Sequence, residues 1–355
     1  MLDQQLVRAP DFPSAARWLN GPPVSLRELR RESPRQTVVL IDFWDYTCVN
    51  CLRTLPYVVE WDAKYHGRGL VTVGVHAPEF SFAREARQVE RAIAEFGICY
   101  PVVLDNDYAI WQAFNNKGWP SKFLVDAQGY VRYQHLGEGE YLATELAIQA
   151  ALREANPDFP PLPLIIPKRE EDAPGMVCYR PTPELYCGYE RSNLGNQEGL
   201  ELDVAMFYAD PGHHELNAFY LHGAWRARQE YCALAGTRGR IALRYKAKDV
   251  NVVMAPTGDP VELMLGLQGG QLVGEAAQQQ PRVTVYQDGQ PLPSTNAGAD
   301  VAYVDSLAVV VPDRPRMVRL VSNPGFEEHE LVLDVQGKGC AFFSFTFTTC
   351  VARDV

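Results

Sequence analysis

Leu40-Ile41-Asp42-Phe43-Trp44-Asp45-Tyr46-Thr47-Cys48-Val49-Asn50-Cys51 decides how this chain is read. The apolar run Val38-Val39-Leu40-Ile41 enters it with the composition of a buried strand. From about Cys48 to His66 a helix is expected, so Cys48 falls in that helix's first turn. Two thiols one helical turn apart, where a strand feeds a helix, are the setting of a redox dithiol. Unpaired N–H groups and the macrodipole at a helix start favour a thiolate. A free thiol has a pKa of about 8.5, and such positions lower it to roughly 3.5–7.5. Cys48 is therefore expected to attack a partner's sulfur, and Cys51 to resolve the mixed disulfide. Three other readings stay open: half of a zinc site, two inert core thiols, or a degenerate redox fold. The zinc reading lacks ligands, because no second CxxC and no His-x₃₋₅-His occurs, and His213-His214 would point to opposite faces of a strand. No metal or cofactor is expected.

Working outward, short β-type runs alternate with helical spacing as far as residue 155. Leu70–His76 reads as a strand, Phe82–Phe96 as a helix, Tyr100–Leu104 as a strand and Tyr108–Phe114 as a short helix. Lys122–Asp126 and Tyr130–His135 flank the turn Ala127-Gln128-Gly129, and Tyr141–Ala155 closes the segment as a helix. This order implies an α/β layer structure.

The segment resembles the thioredoxin superfamily, in particular its TlpA/ResA-like and DipZ-type members. Asp42 lies six residues before Cys48, where thioredoxins carry a buried acid, and Trp44 lies four before it, as in TlpA-like proteins. Pro56 matches the family's helix-kink proline. Trp119-Pro120, followed by Lys122–Asp126 and Gly129, matches its cis-proline segment and hairpin. Gly74–Glu79 resembles the stretch that carries an active-site glutamate.

The resemblance implies roles. Asp42 would be buried with a raised pKa and would relay the proton of Cys51. Glu79 would act on the dithiol through water. Pro120 would follow a cis peptide, and its backbone would pair with an extended substrate beside Trp119. Trp44 and Tyr46 would line a partner groove. Against these stand plain alternatives: a solvated Asp42, a surface Glu79, a trans Pro120 and a core Trp44. Cys99 reads as a buried structural thiol.

Residues 156–175 hold six prolines and read as an extended linker or strap. The expected organisation is a thioredoxin-like redox domain over 1–157, a proline-rich linker over 158–175 and an all-β domain over 176–355. About ten short alternating runs, with turns such as Asp288-Gly289 and Pro324-Gly325, suggest a jelly-roll-like sandwich there. The runs are Leu202–Tyr208, Ala218–Trp225, Arg240–Ala247, Val250–Met254, Val261–Leu267, Val283–Tyr286, Ser306–Val311, Met317–Val321, Glu330–Val335 and Cys340–Thr348. Thr182–Tyr189, Leu221–Trp225 and Phe342–Phe347 resemble the carbohydrate-binding-module-like domain of DipZ-type proteins. Trp225, Tyr186 and Tyr189 could stack on a sugar, although core packing is the commoner use of such residues. Cys178, Cys187, Cys232, Cys340 and Cys350 are expected as free thiols. Cys178 with Cys187 is a conceivable hairpin pair, and Cys340 and Cys350 lie too far apart on one strand to bond.

The net charge is −11 over 355 residues, with 22% charged and 46% hydrophobic residues. That composition is globular, and its acidity argues against duplex binding. No apolar run approaches a membrane span of about 20 residues. The start, Met1–Leu6, lacks the features of a secretion signal, so the sequence as written points to the cytoplasm, whereas the resemblance implies an extracytoplasmic setting. The expected function is thiol–disulfide exchange on protein disulfides, fed by an upstream redox partner. The rivals are a glycan- or protein-binding protein with an accessory redox fold, and a thiol peroxidase. The peroxidase is disfavoured because no proline precedes Cys48 within the strand.

Overall fold

A computed structural model describes residues 7–32, 37–257 and 281–351. The chain forms two compact units, one ending at Asp172 and one beginning at Ala173.

The first unit contains β1 (Arg17–Leu19), α1 (Leu26–Glu32), β2 (Val38–Trp44), α2 (Val49–Tyr65), β3 (Leu70–His76) and α3 (Ala86–Glu95). It continues with β4 (Val102–Leu104), α4 (Ala109–Ala113), β5 (Ser121–Val125), β6 (Val131–Leu136) and α5 (Tyr141–Ala155). The sheet order is β1-β4-β3-β2-β5-β6. β2 pairs in parallel with β3 and antiparallel with β5. Every residue of β2 is buried, which is why it reads as an unbroken apolar run with Asp42 as the exception. β1 and α1 were not expected; the three residues of β1, on a sheet edge, carry no readable period. The expected helix Phe82–Phe96 is split by extended Glu85 into a 3₁₀ turn and α3.

The proline-rich strap lies on this unit as far as Asp172. Phe159 is buried, the N–H of Ile165 donates to Glu145 Oε2 (2.7 Å), and the N–H of Lys168 donates to Tyr57 Oη (2.7 Å).

The second unit comprises β7 (Val177–Cys178), β8 (Leu185–Tyr186), β9 (Ala205–Tyr208), β10 (Phe219–Ala227), β11 (Cys232–Leu234) and β12 (Arg238–Pro256). Then come β13 (Arg282–Gln287), β14 (Gln290–Pro291), β15 (Ala302–Val304), β16 (Leu307–Val310), β17 (Arg316–Gln336), β18 (Cys340–Thr348) and β19 (Cys350–Val351). It is an all-β sandwich around a core that includes Trp225, Tyr245 and Phe342. Four of the expected strands are halves of two long ones. Arg240–Ala247 and Val250–Met254 fuse in β12, with bulges beside Ala247 and Val250. Met317–Val321 and Glu330–Val335 fuse in β17, where Pro324-Gly325 is not a turn but part of a large bulge opposite β12. Val261–Leu267 lies outside the described residues.

The expectation of free thiols throughout this unit is overturned by a Cys178–Cys350 disulfide. Cys350 does not share a strand with Cys340. It starts β19, where it stands directly opposite Cys178 of β7. A partner 172 residues away leaves no local signal.

Candidate active site

β2 delivers the site. At its end the buried Asp45 side chain accepts from the N–H of Thr47 (2.7 Å) and from Thr47 Oγ1 (2.9 Å), which sets the turn into α2. Its other oxygen accepts from the N–H of Glu79 (2.5 Å), tying that turn to the loop after β3. Cys48 is the N-cap of α2, and its Sγ accepts from the N–H of Cys51 at 3.2 Å. Both cysteines are free thiols, with Cys48 half-buried and Cys51 buried.

The charge state of Cys48 differs from the expectation. Burial pushes its thiol above the ordinary value, and the Glu79 and Asp45 carboxylates add to the rise, while hydrogen bonds from Cys51 pull it down. Here desolvation and acidic neighbours outweigh the helix terminus. Cys51 is pushed well up, chiefly by burial and by its hydrogen bond to Cys48.

Asp42 is 1% exposed, and neither carboxylate oxygen has a hydrogen-bond partner among the described residues. Burial raises its pKa to about 7, against the pull of Lys122. Lys122, itself fully buried, stands opposite Asp42 across the β2–β5 ladder. Burial lowers its pKa, while Asp42 and Cys51 raise it.

The Trp119–Pro120 peptide is cis. The Trp119 indole N–H donates to the Ala77 carbonyl (3.0 Å), and the Pro120 carbonyl accepts from Gly137 N–H (2.8 Å). Trp119 and Cys48 pack against the same apolar cluster. Trp44 and Tyr46 require correction as groove walls, because they are 0% and 4% exposed and enclose His76 with ring centroids at 5.2 and 5.7 Å. Burial holds the His76 imidazole down at about 3. Cys99 is exposed, contrary to the buried role expected of it.

A Redoxin family model matches residues 7–148, and a model described as "Thioredoxin like C-terminal domain" matches residues 182–348. The thiol-disulfide oxidoreductase YkuV of Bacillus subtilis is 30% identical over 145 residues, which cover 41% of this chain and 94% of YkuV. The chain belongs to the thioredoxin-like thiol–disulfide oxidoreductases. Protein DipZ of Mycobacterium tuberculosis is 33% identical over 343 residues, 96% of this chain. This member of the family spans 42% of the length of that protein. A solved thioredoxin-like protein in its oxidised form is 27% identical with a TM-score of 0.38, covering 42% of this chain and 97% of its own.

Three residues at this site were missed by sequence reasoning. Asp45 had a local signal, since Asp-x-Thr before a helix start favours an Asx-type turn. Lys122 was visible as a charge inside an apolar strand, but its pairing with Asp42 depends on register. His76 gave no signal. Among the described residues no group of three or more His, Cys, Asp or Glu is placed to hold a metal ion, and no helix is long and apolar enough to cross a membrane. Trp225 is fully buried and offers no face to a sugar.

Proposed function

We propose that the Cys48–Cys51 dithiol reduces disulfides of protein partners. The observation that carries this reading is the N-cap geometry of Cys48, with Cys51 one turn on and the buried Asp42 carboxyl below them. The Cys48 thiolate attacks one sulfur of the partner's disulfide and releases the other as a thiolate, which takes up a proton. Cys51 gives its proton to the Asp42 carboxylate and attacks Cys48 Sγ. The second partner thiolate leaves, and a Cys48–Cys51 disulfide remains. An upstream thiol partner must return two electrons and two protons.

The reducing direction rests on the acidic surroundings. A dithiol stabilised as a thiolate is a strong oxidant, near −120 mV in the extreme case, whereas thioredoxin lies near −270 mV. Burial, Glu79 and Asp45 disfavour the Cys48 thiolate, so a potential towards the reducing end of that range is expected. In this reading the Trp119–Pro120 loop presents backbone to an extended substrate, and Glu79 sets the charge at Cys48. The Cys178–Cys350 disulfide supports work in an oxidising compartment.

The test is insulin reduction together with equilibration against glutathione. Cys48→Ser should abolish turnover, and Cys51→Ser should accumulate a mixed disulfide with the partner. Equal activity of wild type and Cys48→Ser would refute the assignment. A potential near −120 mV would reverse the direction.

A further inference from the structure

The second unit also contains Cys187, Cys232 and Cys340, all fully buried and none in the Cys178–Cys350 disulfide. Two of them are brought together by the way chain segments meet on β18. β8 and β11 both pair with β18: Tyr186 stands opposite Ser344, and Cys232 stands opposite Phe342. The N–H of Cys187 donates to the Phe343 carbonyl at 2.8 Å. Cys187 and Cys232 thus occupy neighbouring positions along β18.

Neighbouring positions on a regular strand face opposite sides. Here they do not, because β18 carries a bulge. Against β12, Phe342 pairs with Met254 and Ser344 with Val253, which leaves Phe343 as the extra residue. Phe342 and Phe345 therefore both reach the core, and so do Cys232 and Cys187 across from this stretch.

The two segments also touch through their backbones. The N–H groups of Tyr189 and Glu190 donate to the carbonyls of Arg228 and Gln229, at 3.0 and 3.1 Å. Gly188 allows this approach. A Cβ there would lie 2.3 Å from the Glu230 carbonyl carbon and 2.4 Å from the Gln229 oxygen. The Cys232 thiol donates to the Cys187 carbonyl oxygen at 2.7 Å, across 45 residues of sequence.

We propose that Cys187 and Cys232 form a second disulfide of this unit when the chain folds under oxidising conditions. Each is fully buried in the finished fold, so the bond must close before the core does. Glutathione disulfide, or a protein disulfide, is the oxidant. One cysteine thiolate attacks it and releases one glutathione thiolate. The other cysteine, deprotonated, then displaces the second. Two protons and two electrons leave with two glutathione thiols, and one S–S bond forms.

The test refolds the full chain in a glutathione redox buffer, unfolds it in guanidinium with iodoacetamide, and maps the peptides by mass spectrometry without reduction. A linked Cys187–Cys232 peptide is expected. With Cys48–Cys51 oxidised, two thiols, Cys99 and Cys340, would then be alkylated instead of four. Recovery of Cys187 and Cys232 alkylated would overturn the proposal. A bond from either one to Cys340 or Cys99 would also overturn it. Cys340→Ser, which removes the other free thiol among the described residues of this unit, should leave the link in place, and its loss there would count against the pairing.

Discussion

Asp42 sits in the molecule at a thermodynamic cost that its chemistry explains. Its carboxyl titrates near 7 because burial penalises the anion, whereas an unfolded Asp titrates near 3.9. Between those values the folded state holds a proton that the unfolded state has lost. Its contribution to stability is therefore present below about pH 4 and disappears as pH rises toward 7, by about 4 kcal/mol in all. Asp42→Asn should stabilise the chain at pH 8 by about 1–3 kcal/mol. The gain is smaller than 4 kcal/mol because buried Lys122 loses its counter-charge. Urea unfolding at pH 5 and pH 8 reads this directly, and an unchanged pH slope in the variant would remove Asp42 as its source. The same variant should slow the Cys51 step, so that mixed disulfide accumulates. At Cys48 the added negative charge of Glu79 predicts that Glu79→Gln lowers the midpoint of iodoacetamide labelling. A midpoint that stays put would mean that burial alone sets the thiol. Cys48, Cys51, Asp42 and Pro120 were legible because spacing along one chain segment specifies them. Asp45 and Lys122 act through contacts between segments, with Glu79 and with Asp42, and such contacts depend on register.

At the scale of elements, the proline-rich strap shows how a polar network can order a segment that has little secondary structure of its own. Glu145 on α5 is 1% exposed and gathers Lys64 Nζ (2.6 Å), Tyr65 Oη (2.6 Å) and the N–H of Ile165 (2.7 Å). Gln149, one turn later, donates to the Leu162 carbonyl at 3.0 Å. Proline cannot supply donors for a sheet, so the strap is held at its few free N–H groups and carbonyls. Composition therefore marked where regular structure stops, while the docking onto α5 was invisible in it. Removing one member of a buried charged cluster costs about 3–5 kcal/mol, because the remaining groups stay desolvated. Glu145→Ala is expected to lose about 3 kcal/mol and to expose Lys168 and Arg169 to trypsin. Cleavage at those residues at the wild-type rate would show that the strap does not depend on Glu145.

For the whole molecule, the two halves were not equally legible, and the reason is contact distance along the chain. In the first unit the β2–α2–β3 run is local, so period and motif sufficed. In the second, β12 pairs with β10, β17 and β18, and its bends fall at bulges that read in sequence as strand ends. The all-β class survived that misreading, because each half-strand keeps its alternation on either side of the bulge. The Cys178–Cys350 pair is the extreme case of non-local linkage, since it joins the opening of this unit to its closing strand, 172 residues later. In the unfolded chain that bond removes the entropy of a very long loop, and disulfides of this kind contribute about 2–4 kcal/mol. A Cys178→Ser/Cys350→Ser double variant tests it without a reductant, so the Cys48–Cys51 dithiol and any Cys187–Cys232 bond are undisturbed. For a unit of this size, 1 kcal/mol moves the midpoint by roughly 2–4 °C, so the transition of the second unit should fall by about 5–15 °C. Calorimetry reads the shift, with insulin reduction by the same sample as the check that the first unit is intact. A variant that melts with the wild type would show that the bond adds no net stability to this unit.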